Sequence, residues 1–544
     1  MFSRISRGAR AGLIVLLLLF SVMLPASAGL HTDSCGMVWT DAALPFERNN
    51  ETAYTEELMA SYGPIMANLT EAPDLSNMTW SDAFREACAC MEERYAFTEW
   101  RGVDWDALYA TYAQKIADAE RSKDTAAYYR TLREFIFAIP DGHVLVLSPD
   151  DFGAKHADIG GGYGFAVARL DSGEVIVTYV ASGSEAERAG IRFGDEVVSW
   201  NGRPIGEAIN ATPILWTPIK PSTAEGILLQ KQRFLARAPV GTTTEIGIAG
   251  PTPRTVSLTA TDDDYETLAR TSIFLGRETN DGAAGSSAEL KAMLTNETVT
   301  TRTLPGGIAY IAVYEESYDV YQPFRAAMET AIAGGAPGIV IDLRFNRGGD
   351  DNLAAAFAGW FVDRPVFYEY GTTYDPGTGE QAVLWESWSE PRPDRYEGPV
   401  ALLVSPYTIS SGEGLPKVFA ETGAGAIVSW YGTNGAFGME SMGPVLPLGI
   451  MTAFPQGASL DELGRIQVDS NRSMIGGVAP TVRVPLDRDT LERAMAGEDV
   501  QLSYAVAWIE AQAGGEPAPT PKAAAGWVIP LAAIIGLVVW FGRR

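Results

Sequence analysis

Histidine is almost missing from this chain of 544 residues, with only His31, His143 and His156. Any imidazole chemistry has just those three places to reside. Lysine is scarce too, eight against 33 arginines, and none falls between Lys417 and Lys522. Three cysteines, Cys35, Cys88 and Cys90, leave room for one internal disulfide at most, Cys35 with Cys88 or Cys90. Cys88-Ala89-Cys90 has no zinc-ligand company, so neither a metal nor another cofactor is expected. Positive charge is outweighed. The formal net charge of −27 argues against nucleic acid or an anionic membrane surface as partner.

What is present begins with export signals. Arg4, Arg7 and Arg10 precede an apolar run over 13–24 and the small residues Ala26-Ser27-Ala28, so residues 1–28 read as a signal peptide, an uncleaved anchor being the alternative. At the other end a Pro/Ala-rich linker, 511–525, leads to an apolar run over 527–541 and then Gly542-Arg543-Arg544. Residues 526–544 read as a C-terminal transmembrane anchor or a sorting tail, short for a spanning helix, with the arginines on the cytoplasmic side. The body is therefore expected at the cell surface, outside the cytoplasm and anchored by that helix. Six Asn-x-Ser/Thr triplets, at Asn50, Asn68, Asn77, Asn210, Asn296 and Asn471, suit an exported glycoprotein.

Residues 29–154 read as a helical N-terminal region, with apolar residues at helical spacing over 83–97, 105–119 and 125–137. It ends in Pro140-Asp141-Gly142, a turn that delivers His143 directly before the apolar strand 144–147. A histidine so placed is more often a packed core residue than a catalyst. His156 stands in a polar loop with no pattern around it. Residues 155–262 change to a β texture, with the glycine-rich opening Gly162-Tyr163-Gly164-Phe165 and a strand over 175–180. Successive N–H groups in such a loop can hold a peptide's terminal carboxylate while the adjoining strand edge pairs with the peptide. Beyond an acidic stretch and a Gly/Ser-rich segment, residues 300–510 repeat strand, turn and helix, which implies a layered α/β domain.

Two turns in that domain carry chemistry. The apolar strand 399–404 breaks at Ser405-Pro406 and leads through Thr408-Ile409-Ser410-Ser411-Gly412-Glu413 into a helical pattern. A serine on a strand-to-helix turn sits near free N–H groups and the positive end of a helix dipole, an environment that suits a nucleophilic hydroxyl. Ser410-x-x-Glu413 is equally a capping box, which would only start a helix. Pro416 requires that helix to start late or kink. The second turn, Asp342-x-Arg344-x-Asn346-x-Gly348-Gly349, can aim N–H groups at one point because glycine lets the backbone approach closely. Such donors stabilise an oxyanion by ~3–4 kcal/mol each.

The run Ala189-Gly190-Ile191-Arg192-Phe193-Gly194-Asp195-Glu196-Val197-Val198-Ser199-Trp200-Asn201-Gly202, with Gly162-Tyr163-Gly164-Phe165 before it, resembles a PDZ domain. Joined to the two turns and to Gly477-Val478-Ala479-Pro480, it resembles the serine peptidases of the C-terminal processing (tail-specific) and tricorn core type. The resemblance implies an α/β multidomain protein. Its parts would be a ClpP/crotonase-like α/β core, an inserted PDZ-like β domain over 155–262 and a helical N-terminal region. It implies a serine-type endopeptidase acting on peptides or proteins without a cofactor, with assembly into a homo-oligomer as a further expectation. Ser410 falls on the family's nucleophile, and the N–H of Ser411 with one from Gly348 or Gly349 falls on its oxyanion hole. Gly162, Tyr163, Gly164 and Phe165 fall on the peptide-binding loop. The family's lysine base would fall on Gly435, so that variant is excluded. Its histidine variant takes the base upstream of the PDZ insertion, where Asp141-Gly142-His143 matches. For the orienting acid, relatives carry glutamate just before the Gly477 segment, where this chain has Ser473-Met474-Ile475. Asp469 is the nearest acid at suitable spacing and Glu413 the runner-up. That departure keeps a second reading open, a non-catalytic ligand- or peptide-binding protein on the same fold.

Overall fold

The computed structural model describes residues 72–271 and 299–514, with a strand pair Leu30–Thr32 and Val38–Thr40. The signal and tail segments, Cys35 and the triplets at Asn50, Asn68 and Asn296 lie outside the described residues. Among the described residues no helix is long and apolar enough to cross a membrane. Asn77 and Asn210 are exposed, whereas Asn471 Oδ1 accepts the N–H of Ser473 within a turn.

The N-terminal helices Trp80–Arg94, Trp105–Ser122 and Thr125–Ala138 lie where the apolar spacing puts them. Each starts on a side chain that accepts an otherwise unused N–H: Thr79 from Asp82, Asp104 from Ala107 and Asp124 from Ala127. Their buried faces, including Phe84, Met91, Leu132 and Phe135, share one cluster with Ile450 and Phe454 from the far end of the chain. Cys88 and Cys90 are buried in the same cluster. Behind His143, the strand Leu145–Leu147 pairs antiparallel with Ile450–Gly457, Leu145 opposite Ala453 and Leu147 opposite Met451.

In the β-rich part, the strand Phe165–Arg169 pairs with Val175–Val180 on one side. The helix Ala224–Phe234 packs against it, and Gln232 Oε1 accepts the Arg169 N–H at 2.8 Å. Ala168, Leu170 and Leu229 join a cluster with Tyr407 and Ile409, so this part is docked beside the Ser410 turn.

The last part is built on a six-stranded sheet in the order Val299–Thr303, Ala309–Val313, Ile339–Asp342, Val400–Leu403, Ala426–Ser429, Val482–Arg483. Only the first pair is antiparallel. Alternate side chains enter opposite layers, as strand geometry demands. Ile339, Ile341, Leu402 and Ile427 pack with Phe324, Phe357 and Phe419, from helices Tyr318–Ala333, Asp351–Ala358 and Gly414–Thr422. Val340, Ala401, Leu403 and Val428 pack with Ala505 and Ile509 of the helix Val500–Gly514. Both faces are covered, which is why these strands read as unbroken apolar runs. Pro416 falls in the first turn of its helix, after a 3₁₀ turn over Ser410–Glu413.

Arg344 ties the second turn to this frame. Its guanidinium is buried and bonds Asp342, at 2.6 Å, and Asp499, at 2.7 Å, while Tyr310 donates to Asp342 at 2.7 Å. Replacing it by methionine leaves two carboxylates without a counter-ion. We expect Arg344→Met to lower the unfolding free energy by about 3–5 kcal/mol, read from denaturant midpoints. An unchanged midpoint would show that the network is not holding the turn.

Candidate active site

The Ser410 turn is stitched to the strand end that precedes Gly348. Ser405 Oγ donates to Arg344 O at 2.5 Å, Thr408 Oγ1 to Leu343 O at 2.7 Å and Ile409 N to Asn346 O at 3.1 Å. Ser410 itself takes φ of +59°, left-handed and strained for a residue with a side chain. It is partly exposed, and its hydroxyl has no hydrogen-bond partner among the described residues. A Cβ at Gly348 would fall 2.4 Å from Ser410 Cβ and 2.9 Å from Ser411 N, so only glycine fits against the serine there.

The N–H of Gly348 is spent internally, on Asn346 Oδ1 at 2.8 Å. Glu316 bonds the backbone on either side of Gly349, donating to Gly348 O and accepting from Asp350 N. Among the described residues, no hydrogen bond uses the N–H of Gly349 or of Ser411. Of the three expected oxyanion residues, then, Gly349 and Ser411 hold unused donors, whereas Gly348 makes room.

Glu413 does not close a capping box. Ile409 stands at the N-cap and supplies no side-chain acceptor. Instead Glu413 reaches across to the 433–436 loop, accepting from Thr433 Oγ1 at 2.5 Å, Gly435 N at 2.8 Å and Ala436 N at 3.1 Å. Ala436 O in turn accepts the Ser410 N–H at 2.9 Å. Burial pushes the Glu413 carboxyl up to about 8, against the pull of these three donors.

The histidine turn packs against the same loop. A Cβ at Gly142 would meet Asn434 Oδ1 at 2.5 Å and Ala436 Cβ at 3.0 Å, and Gly142 N donates to Ser222 Oγ at 2.6 Å. Asp141 accepts from His143 N at 2.9 Å and Tyr95 Oη at 2.7 Å and pairs with Arg101 at 3.2 Å. The His143 ring is buried and among the described residues its Nδ1 has no partner; no hydrogen bond joins it to Ser410 or to Asp469. Burial pulls His143 down to about 4, the Arg101 charge acting the same way and Asp141 opposing. Asp469 bonds Arg101 at 3.1 Å and accepts from Phe437 N at 3.0 Å, and burial pushes its carboxyl up to about 7.

The structure therefore gathers Ser410, Ser411, Gly348 and Gly349 directly and sets His143 across the 433–436 loop from them. Asp469 reaches the histidine turn through Arg101. His156 pairs with Asp262 at the surface. Gly162 lies in a short strand paired on both sides, with 237–238 and 261–262, and Tyr163 and Phe165 are buried, so the glycine-rich loop is enclosed. Two residues near His143 escaped the sequence reading. Arg101 carries no motif. Lys220 precedes the serine rather than following it; its buried ammonium donates to Ile136 O at 2.5 Å and Val144 O at 3.3 Å, and burial lowers it to about 7.

Comparison with known proteins bears on this arrangement. The family profile of peptidase family S41 matches residues 307–484, and that of the tricorn protease C1 domain matches residues 76–128. No curated protein matches the chain. Among solved structures, mature CPAF is 14% identical with a TM-score of 0.52, covering 80% of this chain and 98% of that one. Its complex with lactacystin is 14% identical with a TM-score of 0.51, covering 80% and 99%. The photosystem II D1 C-terminal processing protease is 19% identical with a TM-score of 0.33, covering 78% and 98%. The likeness to CPAF, at this identity, concerns the fold.

The buried acids around the turns set a pH dependence. Burial raises Glu316 to about 8 and Glu369 to about 7, alongside Glu413 and Asp469. Between the ordinary carboxylate range and these values the folded chain holds protons that the unfolded chain has lost, so stability falls as pH rises through that window. His143 works oppositely, costing stability as pH falls from 6.5 towards 4. Melting temperature should decline from pH 5 to pH 9, and Glu316→Gln should flatten the decline. A parallel decline in the variant would remove Glu316 from the account.

Proposed function

We propose that this chain, whose residues 307–484 match the profile of peptidase family S41, is a serine-type peptidase, exported and membrane-tethered, an endopeptidase of the tail-specific, tricorn-like type working by a Ser410–His143 pair. Ser410 Oγ attacks the scissile carbonyl carbon while His143 takes its proton. The resulting oxyanion is held by the N–H groups of Ser411 and Gly349. His143 then passes the proton to the leaving amine, and a water, deprotonated by the same imidazole, releases the acyl group. Asp469 serves as the acid of the set. The observation that carries the reading is one juxtaposition: a serine held at φ +59° on a strand-to-helix turn, next to two backbone N–H groups with no other use.

Two finer parts belong to the same proposal. The six-stranded sheet with its helices is read as a ClpP/crotonase-like core. The β-rich stretch is read as a PDZ-like unit that recognises substrate ends, supported by the one-sided strand Phe165–Arg169 and the helix packed against it. Export and anchoring rest on residues 1–28 and 526–544.

The test is turnover of a quenched-fluorescent peptide library by the full chain beside Ser410→Ala and His143→Ala. Each variant should lose at least ~10³-fold in kcat/KM. Gly348→Ala, which drives a methyl group into Ser410, should lose at least ~10²-fold while leaving the fold intact. A folded wild-type protein that cleaves nothing and is not labelled by a serine-directed phosphonate would sink the mechanism.

A further inference from the structure

Arg101 lies on a short helix, Thr98–Arg101, far in sequence from everything it touches at this site. Its side chain is fully buried, where an arginine needs specific partners to be tolerated. Nε pairs with Asp141 Oδ2 at 3.2 Å, and one terminal nitrogen donates to Pro140 O, so both residues leading into the histidine turn are held. The other terminal nitrogen donates to Asp469 Oδ1 at 3.1 Å and to Gly435 O at 3.4 Å. Gly435 belongs to the loop that Glu413 moors and on which both Gly142 and Ser410 rest. A single planar group thus touches the histidine turn, the acid's segment and the loop between base and nucleophile.

We propose that Arg101 is the positioning residue of the catalytic pair, fixing the His143 turn against the loop that backs Ser410, and that Asp469 acts on His143 only through it. This rests on the Ser410–His143 reading given above. Geometry favours the second half. Asp469 Oδ1 is taken by Arg101 and Phe437, while among the described residues its Oδ2 and His143 Nδ1 each lack a hydrogen bond, so none joins acid and imidazole. Lysine could not replace the contact, since one ammonium cannot reach both carboxylates and two carbonyls with the fixed spacing of a guanidinium. Several groups bear on His143. Asp141 lies in its own turn and Tyr95 behind that carboxylate, with Arg101 on the short helix. Lys220 bonds the carbonyl of Val144, Asp469 sits beyond Arg101, and Glu440 lies close enough to Asp141 to feel its charge. Arg101 lowers the imidazole's proton affinity and Asp141 raises it, so removing the arginine alone raises it.

With only three histidines in the chain, nuclear magnetic resonance of histidine-labelled full-length protein can follow His143 directly, its signal assigned by His143→Gln. In the wild type it should titrate near pH 4. In Arg101→Met the midpoint should rise by about one pH unit or more. Arg101→Lys, which keeps a charge but not the fork, should move it less. Both variants should lose at least ~10²-fold in kcat with KM within about threefold, the signature of lost alignment rather than lost binding. Arg101→Met combined with Asp469→Asn removes the guanidinium together with one of its two carboxyl partners, and denaturant midpoints recorded alongside show that each variant is folded. The double variant should show the raised titration midpoint and lose no more than about tenfold beyond Arg101→Met, because the acid has no separate route. A wild-type midpoint in either methionine variant overturns the proposal, whether or not the chain proves to cleave peptides. Losses that multiply in the double variant overturn the indirect role of Asp469. Absence of Ser410-dependent turnover would count against the peptidase mechanism alone, since the titration reads Arg101 without it.

Discussion

Three paired residues place the turn that carries His143. Leu145–Leu147 adds a strand to Ile450–Gly457, and that pairing fixes where the turn before it ends up. Closing so long a stretch of chain costs entropy that grows only slowly with length. What offsets it is the apolar cluster in which Phe84, Leu132 and Phe135 meet Ile450 and Phe454. Were that cluster loosened, His143 would stay attached to its helices and leave the Ser410 side of the molecule. The N-terminal helices thus help to place the His143 turn.

Both the His143 turn and the Ser410 turn rest on the 433–436 loop, which is moored from both sides. Glu413 holds it from the Ser410 turn, and Ser222, bonded to Asn434 Oδ1 at 3.0 Å, holds it from the segment before the helix Ala224–Phe234 of the β-rich stretch. This explains a division of labour among the turn's residues. A left-handed residue with a side chain costs of order 1–3 kcal/mol. The bonds from Ser405, Thr408 and Ile409, at roughly 1 kcal/mol each, suffice to hold Ser410 in that conformation. Gly348 contributes by what it lacks, since any side chain would occupy the space of Ser410.

The sheet was legible in the sequence because its strands are short apolar runs bounded by turns, and the alternation of Ile339, Val340 and Ile341 between two clusters follows from the period of two. Ser410 was legible as a serine on such a turn. The choice between Gly348 and Gly349 was also within reach. Asn346-x-Gly348 is the spacing at which an asparagine accepts an N–H two residues on, which removes Gly348 as a donor. Glu413 misled because its spacing from Ser410 fits a local cap, whereas the left-handed backbone of Ser410 leaves it free to bond a loop twenty residues ahead. Arg101 gave no signal at all. It is one of 33 arginines, and its partners at Asp141, Gly435 and Asp469 converge only through the tertiary fold.

Proton accounting links the site's parts. In the proposed mechanism His143 must be neutral to accept the serine proton, and its burial holds its proton affinity down to about 4. The buried carboxyls Glu316, Glu413 and Asp469 take up charge only near 7 to 8. Between those limits Arg101 faces Asp141, Arg344 faces both Asp342 and Asp499, and the Lys220 ammonium keeps its proton up to about 7. In the proposed mechanism the oxyanion would be met by the preset N–H donors of Ser411 and Gly349, which need no reorganisation when it forms. Low intrinsic basicity of the imidazole weakens it as a proton acceptor. It also makes the imidazolium a stronger acid towards the leaving amine, and in peptide hydrolysis that second transfer is the one a poor leaving group needs.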